Sequence, residues 1–265
     1  MINILNENDI RAFINPKYRD LNIYCFKTVD STNKVAKEAA KSGALNKSVF
    51  VAGNQTCGRG RLGRNFFSPS GCGVYLSIVF RPDNDTENFQ RITAAAAVAV
   101  CRAIKELTGI NPLIKWVNDI IINNKKVCGI LTEGVVNAEN KKIEYAVVGI
   151  GINAFLPLNG YPPEIKEVAG SLFESTEECD INLIASKVIE KVFDIFDDVK
   201  TGDFVKEYKE SSILIGRNIE YEICGEKQCG KVVDIDENCG LVVENNGKIK
   251  HLSSGEVTIK TEKVL

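Results

Sequence analysis

At 265 residues, with 44% hydrophobic and 26% charged residues, the chain has an ordinary globular composition and enough length for one large domain plus a small one. A formal net charge of −2 and a single histidine argue against a broad nucleic-acid-binding face, a His-rich metal site and a Ser-His-Asp triad. No apolar run approaches the ~18 residues that span a bilayer and no secretory leader opens the chain, so no membrane partner is expected. Nine scattered cysteines contain no Cys-x-x-Cys pair and read as reduced thiols of a cytoplasmic protein.

The first clear helix signal is Asp30-Ser31-Thr32-Asn33, a run of capping residues followed by Val35, Ala36, Ala39 and Ala40 at helical spacing and closed by Gly43. Strand-like runs follow at 49–52 and 74–80. A long amphipathic helix spans about 89–107, with Ile92, Ala95, Ala96, Ala99, Val100, Ala103, Ile104 and Leu107 on one stripe. Three strands are predicted next, at 113–122, 127–136 and 145–154, the first two joined by a tight Asn123-Asn124 turn. Helices return at about 182–199 and 203–211. Hairpins in the middle with helices on either side predict an α+β layer, in place of a doubly wound fold.

Composition changes near Ile213. Five short β-prone runs (219–223, 230–235, 241–244, 248–252 and 256–259) are punctuated by Gly225, Gly240, Gly247 and Gly255, which predicts a small barrel. The expected boundary therefore divides residues 1–212 from 213–265. His251 falls in a polar run of this tail and reads as a solvated surface histidine.

Between the first two strand-like runs lies Gly58-Arg59-Gly60-Arg61-Leu62-Gly63-Arg64, with three guanidinium groups and three glycines in seven residues. Arginine meets phosphate or carboxylate oxygens bidentately, and glycine lets backbone bend closely around an anion. The string formally matches a dinucleotide-binding fingerprint, but Ser68-Pro69-Ser70-Gly71 stands where that motif needs a helix. A kinase-type loop would need His-Arg-Asp and Asp-Phe-Gly elements, and neither occurs. An RNA-binding Gly/Arg tract would be longer and more biased, so the remaining bland reading is a solvated basic turn.

Other polar groups interrupt otherwise apolar strands. Ile114-Lys115-Trp116-Val117-Asn118-Asp119 sets a lysine and an Asn-Asp pair around the only tryptophan. Gly129, Gly149 and Gly151 fall inside neighbouring predicted strands, where glycine often marks close approach of a ligand or another backbone. They predict a flat ligand lying on bare backbone.

Taken in chain order, Asp30-Ser31-Thr32-Asn33, Gly58 to Arg64, Lys115-Trp116-Val117-Asn118-Asp119, Gly129-Ile130-Leu131-Thr132-Glu133, Gly149-Ile150-Gly151-Ile152-Asn153 and the tail Ser254-Gly255-Glu256-Val257 resemble the biotin–protein ligases across nearly the whole chain. Departures are modest: Val117 stands where the family usually has Pro, Phe66 where Trp is frequent, and Cys128 where Gly or Ala is usual.

The resemblance implies an α+β fold, an SH2-like catalytic domain with a mixed sheet and helices joined to a small C-terminal SH3-like β-barrel. It implies that biotin and ATP, with Mg²⁺, form biotinyl-5'-AMP, and that a lysine of a biotin carboxyl carrier protein domain then takes the biotinyl group. By the same resemblance Ser31, Thr32, Asn33, Gln55, Arg59, Gly60, Arg61, Lys115 and Gly129 line the biotin site. Arg59, Arg61, Arg64, Asn118 and Asn153 face the nucleotide, while Lys115, Arg59 and Arg61 carry the chemistry. No protein-only metal site is implied, and a homodimer is compatible with the likeness. The stretch ahead of Ser31 is too short for a DNA-reading domain, so no operator binding is expected. The alternatives are a lipoate- or octanoate-transferring relative and a non-catalytic biotin-binding regulator. A mixed anhydride hydrolyses if water reaches it, so residues 58–65 are expected to be mobile alone and to order over the adenylate.

Overall fold

A computed structural model describes residues 4–82, 89–139, 142–198, 201–223, 226–253, 255 and 257–259. Its first element is a short helix, α1 (Glu7–Phe13), capped by the Asn6 side chain, which accepts from the Asp9 backbone N–H. Then come β1 (Ile23–Phe26), α2 (Thr32–Lys41), β2 (Val49–Ala52), β3 (Gly73–Phe80) and α3 (Phe89–Thr108). The chain continues through β4 (Leu113–Lys115), β5 (Asp119–Ile122), β6 (Lys125–Val136) and β7 (Ile143–Asn153), then α4 (Ile181–Asp198) and α5 (Phe204–Glu210). Five strands follow: β8 (Asn218–Ile223), β9 (Glu226–Ile235), β10 (Leu241–Asn245), β11 (Lys248–Leu252) and β12 (Val257–Ile259).

The first seven strands form one mixed sheet in the order β1-β2-β3-β7-β6-β5-β4. Only the β1–β2 pair is parallel; every other neighbour is antiparallel. Side chains alternate across it with period two. Val74, Leu76, Ile78 and Phe80 on β3, with Val148, Ile150 and Ile152 on β7, face the core under α3 and α4. Val79, Tyr145 and Val147 turn the other way, against Ala36 and Ala40 of α2. The run Ala94 to Ala97 of α3 is fully buried, and these small side chains let the helix lie close to its neighbours. No helix among the described residues is long and apolar enough to cross a membrane. The described cysteines are free thiols.

Two sequence expectations need correction. The predicted strand at 113–122 is two strands, β4 and β5, folded back on each other with Lys115 opposite Asp119. Trp116, Val117 and Asn118 make the turn, the Trp116–Val117 peptide is cis, and the buried Tyr208 hydroxyl donates to the Val117 carbonyl at 2.9 Å. The helix α1 and the edge strand β1 were not foreseen, since each is too short for its periodicity to stand out. The last five strands form an antiparallel sheet in the order β11-β10-β9-β8-β12, and among the described residues its outer strands are not paired to each other. By contrast, Asn123 and Asn124 both take positive φ, as the expected tight turn requires. Val199, Gly225, Ser254 and Glu256 of the sequence reading lie outside the described residues.

The C-terminal sheet is tied to the larger one by its β9–β10 loop. The Cys239 carbonyl accepts from Trp116 Nε1 at 2.8 Å and from Gln90 Nε2 at 2.5 Å. Asp236 braces that loop by accepting from the Asn238 and Gly240 backbone N–H groups at 3.0 and 2.8 Å. His251, exposed as expected, places Nδ1 2.9 Å from Asp236 Oδ2.

Candidate active site

A cavity of about 140 Å³ opens on the α2 face of the mixed sheet, between the start of α2, the Gly58–Arg64 segment and the exposed backbone of β5, β6 and β7. Its closed end is polar and buried. Ser31, Thr32 and Asn33 are each under 5% exposed. Ser31 occupies the N-cap position of α2, but its hydroxyl makes no capping bond, and Asp30 Oδ1 takes the Ser31 N–H at 2.7 Å. Gln55 instead caps the helix from outside it: Oε1 accepts from the Thr32 N–H at 2.8 Å, while Nε2 donates to Ser68 Oγ at 3.0 Å. Capping residues thus sit at the helix start as expected, and Ser31, Thr32 and Asn33 line the cavity.

Gly129, Gly149 and Gly151 all line the cavity, and each also lies in close contact with a side chain above the sheet. A Cβ on Gly149 would lie 2.0 Å from Asn33 Oδ1, and one on Gly151 would lie 2.5 Å from the Phe66 ring. A Cβ on Gly129 would meet both Phe66 and the Lys126 side chain at 3.0 Å. The clearance above the bare strands is therefore filled by the protein's own Asn33 and Phe66, which form a second layer over the sheet.

Lys115 stands apart from the cavity. Register places Lys115, Asp119, Gly129, Gly151 and Tyr75 in one row across five strands. With strands ~4.8 Å apart, Lys115 begins about two strand spacings from Gly129, and it does not line the cavity. Lys126 does. A strict period of two would turn Lys126 to the opposite face from Gly129. A bulge opposite Ile120 and Ile121 leaves Val127 as an extra residue and restores Lys126 to the site face. Its Nζ is 2.6 Å from Asp119 Oδ1 and 5.8 Å from the Phe66 ring centre.

Asn153 also departs from expectation. Its amide donates to the Lys126 and Gly170 carbonyls at 3.3 and 2.9 Å, and it does not line the cavity. Arg59, Gly60, Arg61, Arg64, Asn118 and Gly129 all do. The Arg-Gly segment closes on itself: Gly60 N–H donates to the Arg64 carbonyl at 2.7 Å, and Phe66 N–H to the Gly58 carbonyl at 2.9 Å. A Cβ on Gly58 would lie 2.4 Å from the Phe66 carbonyl, so that crossing demands glycine. Arg61 reaches Asn118 Oδ1 at 3.1 Å and the Gly255 carbonyl at 3.0 Å. Both are neutral acceptors, which a phosphate or carboxylate outcompetes because charge-assisted hydrogen bonds are about twice as strong.

Four cationic side chains, Arg59, Arg61, Arg64 and Lys126, thus line a cavity whose one carboxylate, Asp119, is already paired. The arrangement suits anions at the end lined by arginine and lysine and a small polar group at the end lined by Ser31, Thr32 and Asn33. Among the described residues no group of three or more His, Cys, Asp or Glu side chains could hold a metal ion.

Comparison with known proteins places the chain in a family. Residues 25–153 match the Biotin/lipoate A/B protein ligase family, and residues 214–260 match the Biotin protein ligase C terminal domain. The chain is 35% identical over 262 residues to the bifunctional ligase/repressor BirA of Bacillus subtilis, covering 96% of this chain and 79% of that protein. The chain belongs to the biotin protein ligase family. The biotin--[acetyl-CoA-carboxylase] ligase of Mycobacterium tuberculosis is 28% identical, with 86% of this chain and 85% of that one covered. Among solved structures, a biotin protein ligase from Aquifex aeolicus in complex with biotin and ATP superimposes with a TM-score of 0.75 at 28% identity, covering 90% of this chain and 98% of the other. Within the ligase site, sequence reasoning missed Lys126 as a cavity wall.

Proposed function

We propose that the cavity binds biotin with its ring system toward Ser31, Thr32, Asn33 and Gln55 and its carboxylate toward Arg59, Arg61 and Lys126, and that ATP enters from the Arg64 and Asn118 side. The enzyme is an ATP-dependent biotin–protein ligase. It forms biotinyl-5'-AMP and passes biotin to a lysine of a carboxylase carrier protein. The observation that carries the site assignment is the meeting of four cationic side chains with a buried hydroxyl-and-amide end in one cavity.

The residues suit the chemistry. Biotin's carboxylate is ionised at neutral pH, so the first step needs no general base. A carboxylate oxygen attacks the α-phosphorus, the bond to pyrophosphate breaks, and charge builds on the α-phosphate oxygens. Bringing two repelling anions together and neutralising that charge is work for fixed cations. We assign this to Arg59, Arg61 and Lys126, giving Lys126 the role first expected of Lys115. In the second step the acceptor amine attacks the acyl carbon and AMP leaves.

Asp119 is already paired with Lys126, so the cavity offers no ligand set for Mg²⁺. A magnesium ion would arrive with the triphosphate. We further propose that residues 1–212 form the catalytic domain and 213–265 an SH3-like C-terminal domain. Support for the latter comes from the five short antiparallel strands and the C-terminal family match.

The test is ATP–pyrophosphate exchange with purified protein. Exchange that requires biotin, and that lipoate does not replace, supports the reading. Exchange with lipoate alone, or none with biotin, defeats it.

A further inference from the structure

Behind the cavity wall lies a hydrogen-bonded chain that the reaction does not obviously need. Lys37 Nζ pairs with Glu133 Oε1 at 3.0 Å. Glu133 Oε2 accepts from Asn33 Nδ2 at 2.9 Å, and the Leu131 carbonyl accepts from the same Nδ2 at 3.2 Å. Asn33 Oδ1 lies 2.7 Å from Ser77 Oγ, and Ser77 Oγ lies 2.8 Å from Thr32 Oγ1. Ser77 is fully buried, and Asn33 and Thr32 are 4% exposed.

Counting protons along this chain gives it a direction. Two acceptors, one of them charged, face Asn33 Nδ2, so the amide cannot turn over without setting Oδ1 against a carboxylate and a carbonyl. Its oxygen therefore faces Ser77, whose single proton goes to it. The Ser77–Thr32 contact then has to be made by the Thr32 proton. Gln55 Oε1, which accepts the Thr32 backbone N–H at 2.8 Å, is the second acceptor within reach of the Thr32 hydroxyl, at 3.1 Å against 2.8 Å for Ser77 Oγ, and either acceptor draws the Thr32 proton into the protein. Thr32 is left facing the cavity with its lone pairs.

We propose that Glu133 is a positioning residue: acting through Asn33 and Ser77, it turns the Thr32 hydroxyl proton away from the cavity, so that Thr32 receives an N–H donor of the ligand. The inference rests on the placement of the biotin ring system at Thr32, and biotin's ureido N–H groups are donors of the required kind. Lys37 sets the sense of the chain by holding the other carboxylate oxygen. Burial raises the Glu133 pKa, and the hydrogen bonds from Asn33 and Lys37 more than offset it, so the carboxylate stays ionised at neutral pH.

Glu133→Gln is the informative variant. Lys37 would take the amide oxygen and set N–H groups against Asn33 Nδ2, leaving the Leu131 carbonyl as the one acceptor opposing a turned Asn33 amide; the turned amide donates to Ser77, Ser77 donates to Thr32, and the Thr32 proton is released toward the cavity and Gln55 Oε1. In pyrophosphate exchange we expect the KM for biotin to rise about tenfold, as for a buried donor meeting a donor, with kcat and the KM for ATP little changed and the same Tm. Lys37→Met in the Glu133→Gln background frees the glutamine to turn its oxygen to Asn33, and should recover much of the biotin KM. Thr32→Val should raise the biotin KM by itself, and adding Glu133→Gln to it should cost nothing further.

A Thr32→Val enzyme with normal biotin KM would remove the site assignment on which the proposal stands. A normal biotin KM in Glu133→Gln, with Thr32→Val impaired, would overturn the positioning role alone. So would a Glu133→Gln enzyme with lowered Tm and equal losses for biotin and ATP.

Discussion

Lys126 Nζ lies 2.6 Å from Asp119 Oδ1, and Asp119 is in turn the register partner of Lys115. One carboxylate thus separates two lysines on the same face of the sheet, and only the lysine on β6 borders the cavity.

That difference separates the two in function. Lys126→Gln is expected to slow biotin-dependent pyrophosphate exchange by at least ~30-fold, about 2 kcal/mol of transition-state stabilisation. Lys115→Gln should leave exchange nearly intact. Equal losses, or a greater loss at Lys115, would return the role to Lys115.

The Phe66 ring fills the space above Gly151 that a Cβ would need. Gly151→Ala should destabilise the protein by roughly 1–3 kcal/mol through overpacking and weaken ligand binding with it. Phe66→Ala in the same chain removes the opposing ring and should restore part of the stability. Thermal unfolding of the single and double variants checks this, and an unaltered Tm in Gly151→Ala would contradict the packing.

Arg61 spans Asn118 and the Gly255 carbonyl, joining the Arg-Gly segment to both sheets. Biotin plus ATP should protect residues 58–65 from proteolysis relative to protein alone, as a lid closing over an adenylate requires. The cut site is read by mass spectrometry. Equal cleavage with and without ligands would exclude a lid.

Trp116 is 4% exposed and donates to Cys239 across the two sheets. Trp116→Phe keeps most of the buried ring but removes the donor, at a cost of about 1 kcal/mol or more in denaturant unfolding. Stability equal to wild type would show that Gln90 alone satisfies the carbonyl.

Asp236 braces the same loop. Burial raises its pKa, but the His251, Gly240 and Asn238 hydrogen bonds outweigh burial, and the net shift is downward from 3.8. Its contribution is therefore present above the unfolded-state value and lost as pH falls through the lower folded-state value. Asp236→Asn should flatten the acid limb of stability against pH below about pH 4. An unchanged acid limb would argue against the brace.

Much of this protein was legible before folding was considered. Capping residues at 30–33, the α3 stripe and the Asn123-Asn124 turn are local signals, each decided by a few neighbouring residues. Four short pieces were less legible. The β4–β5 reversal is hidden inside an apolar run, α1 and β1 are brief, and the bulge at Val127 leaves no compositional trace. Lys126 was overlooked for that reason: counted at period two from Gly129, it belongs on the core face.

The amino-acid sequence by itself determined the family, the α+β class, the Arg-Gly loop and the polar residues that gather at the start of α2. Those depend on residue type and spacing along the chain. Only the tertiary structure decided which lysine reaches the cavity, what fills the space above Gly149 and Gly151, and which way the Glu133–Asn33–Ser77–Thr32 chain is polarised. Each of these depends on strand register and on side chains separated by tens of residues, which local pattern does not encode.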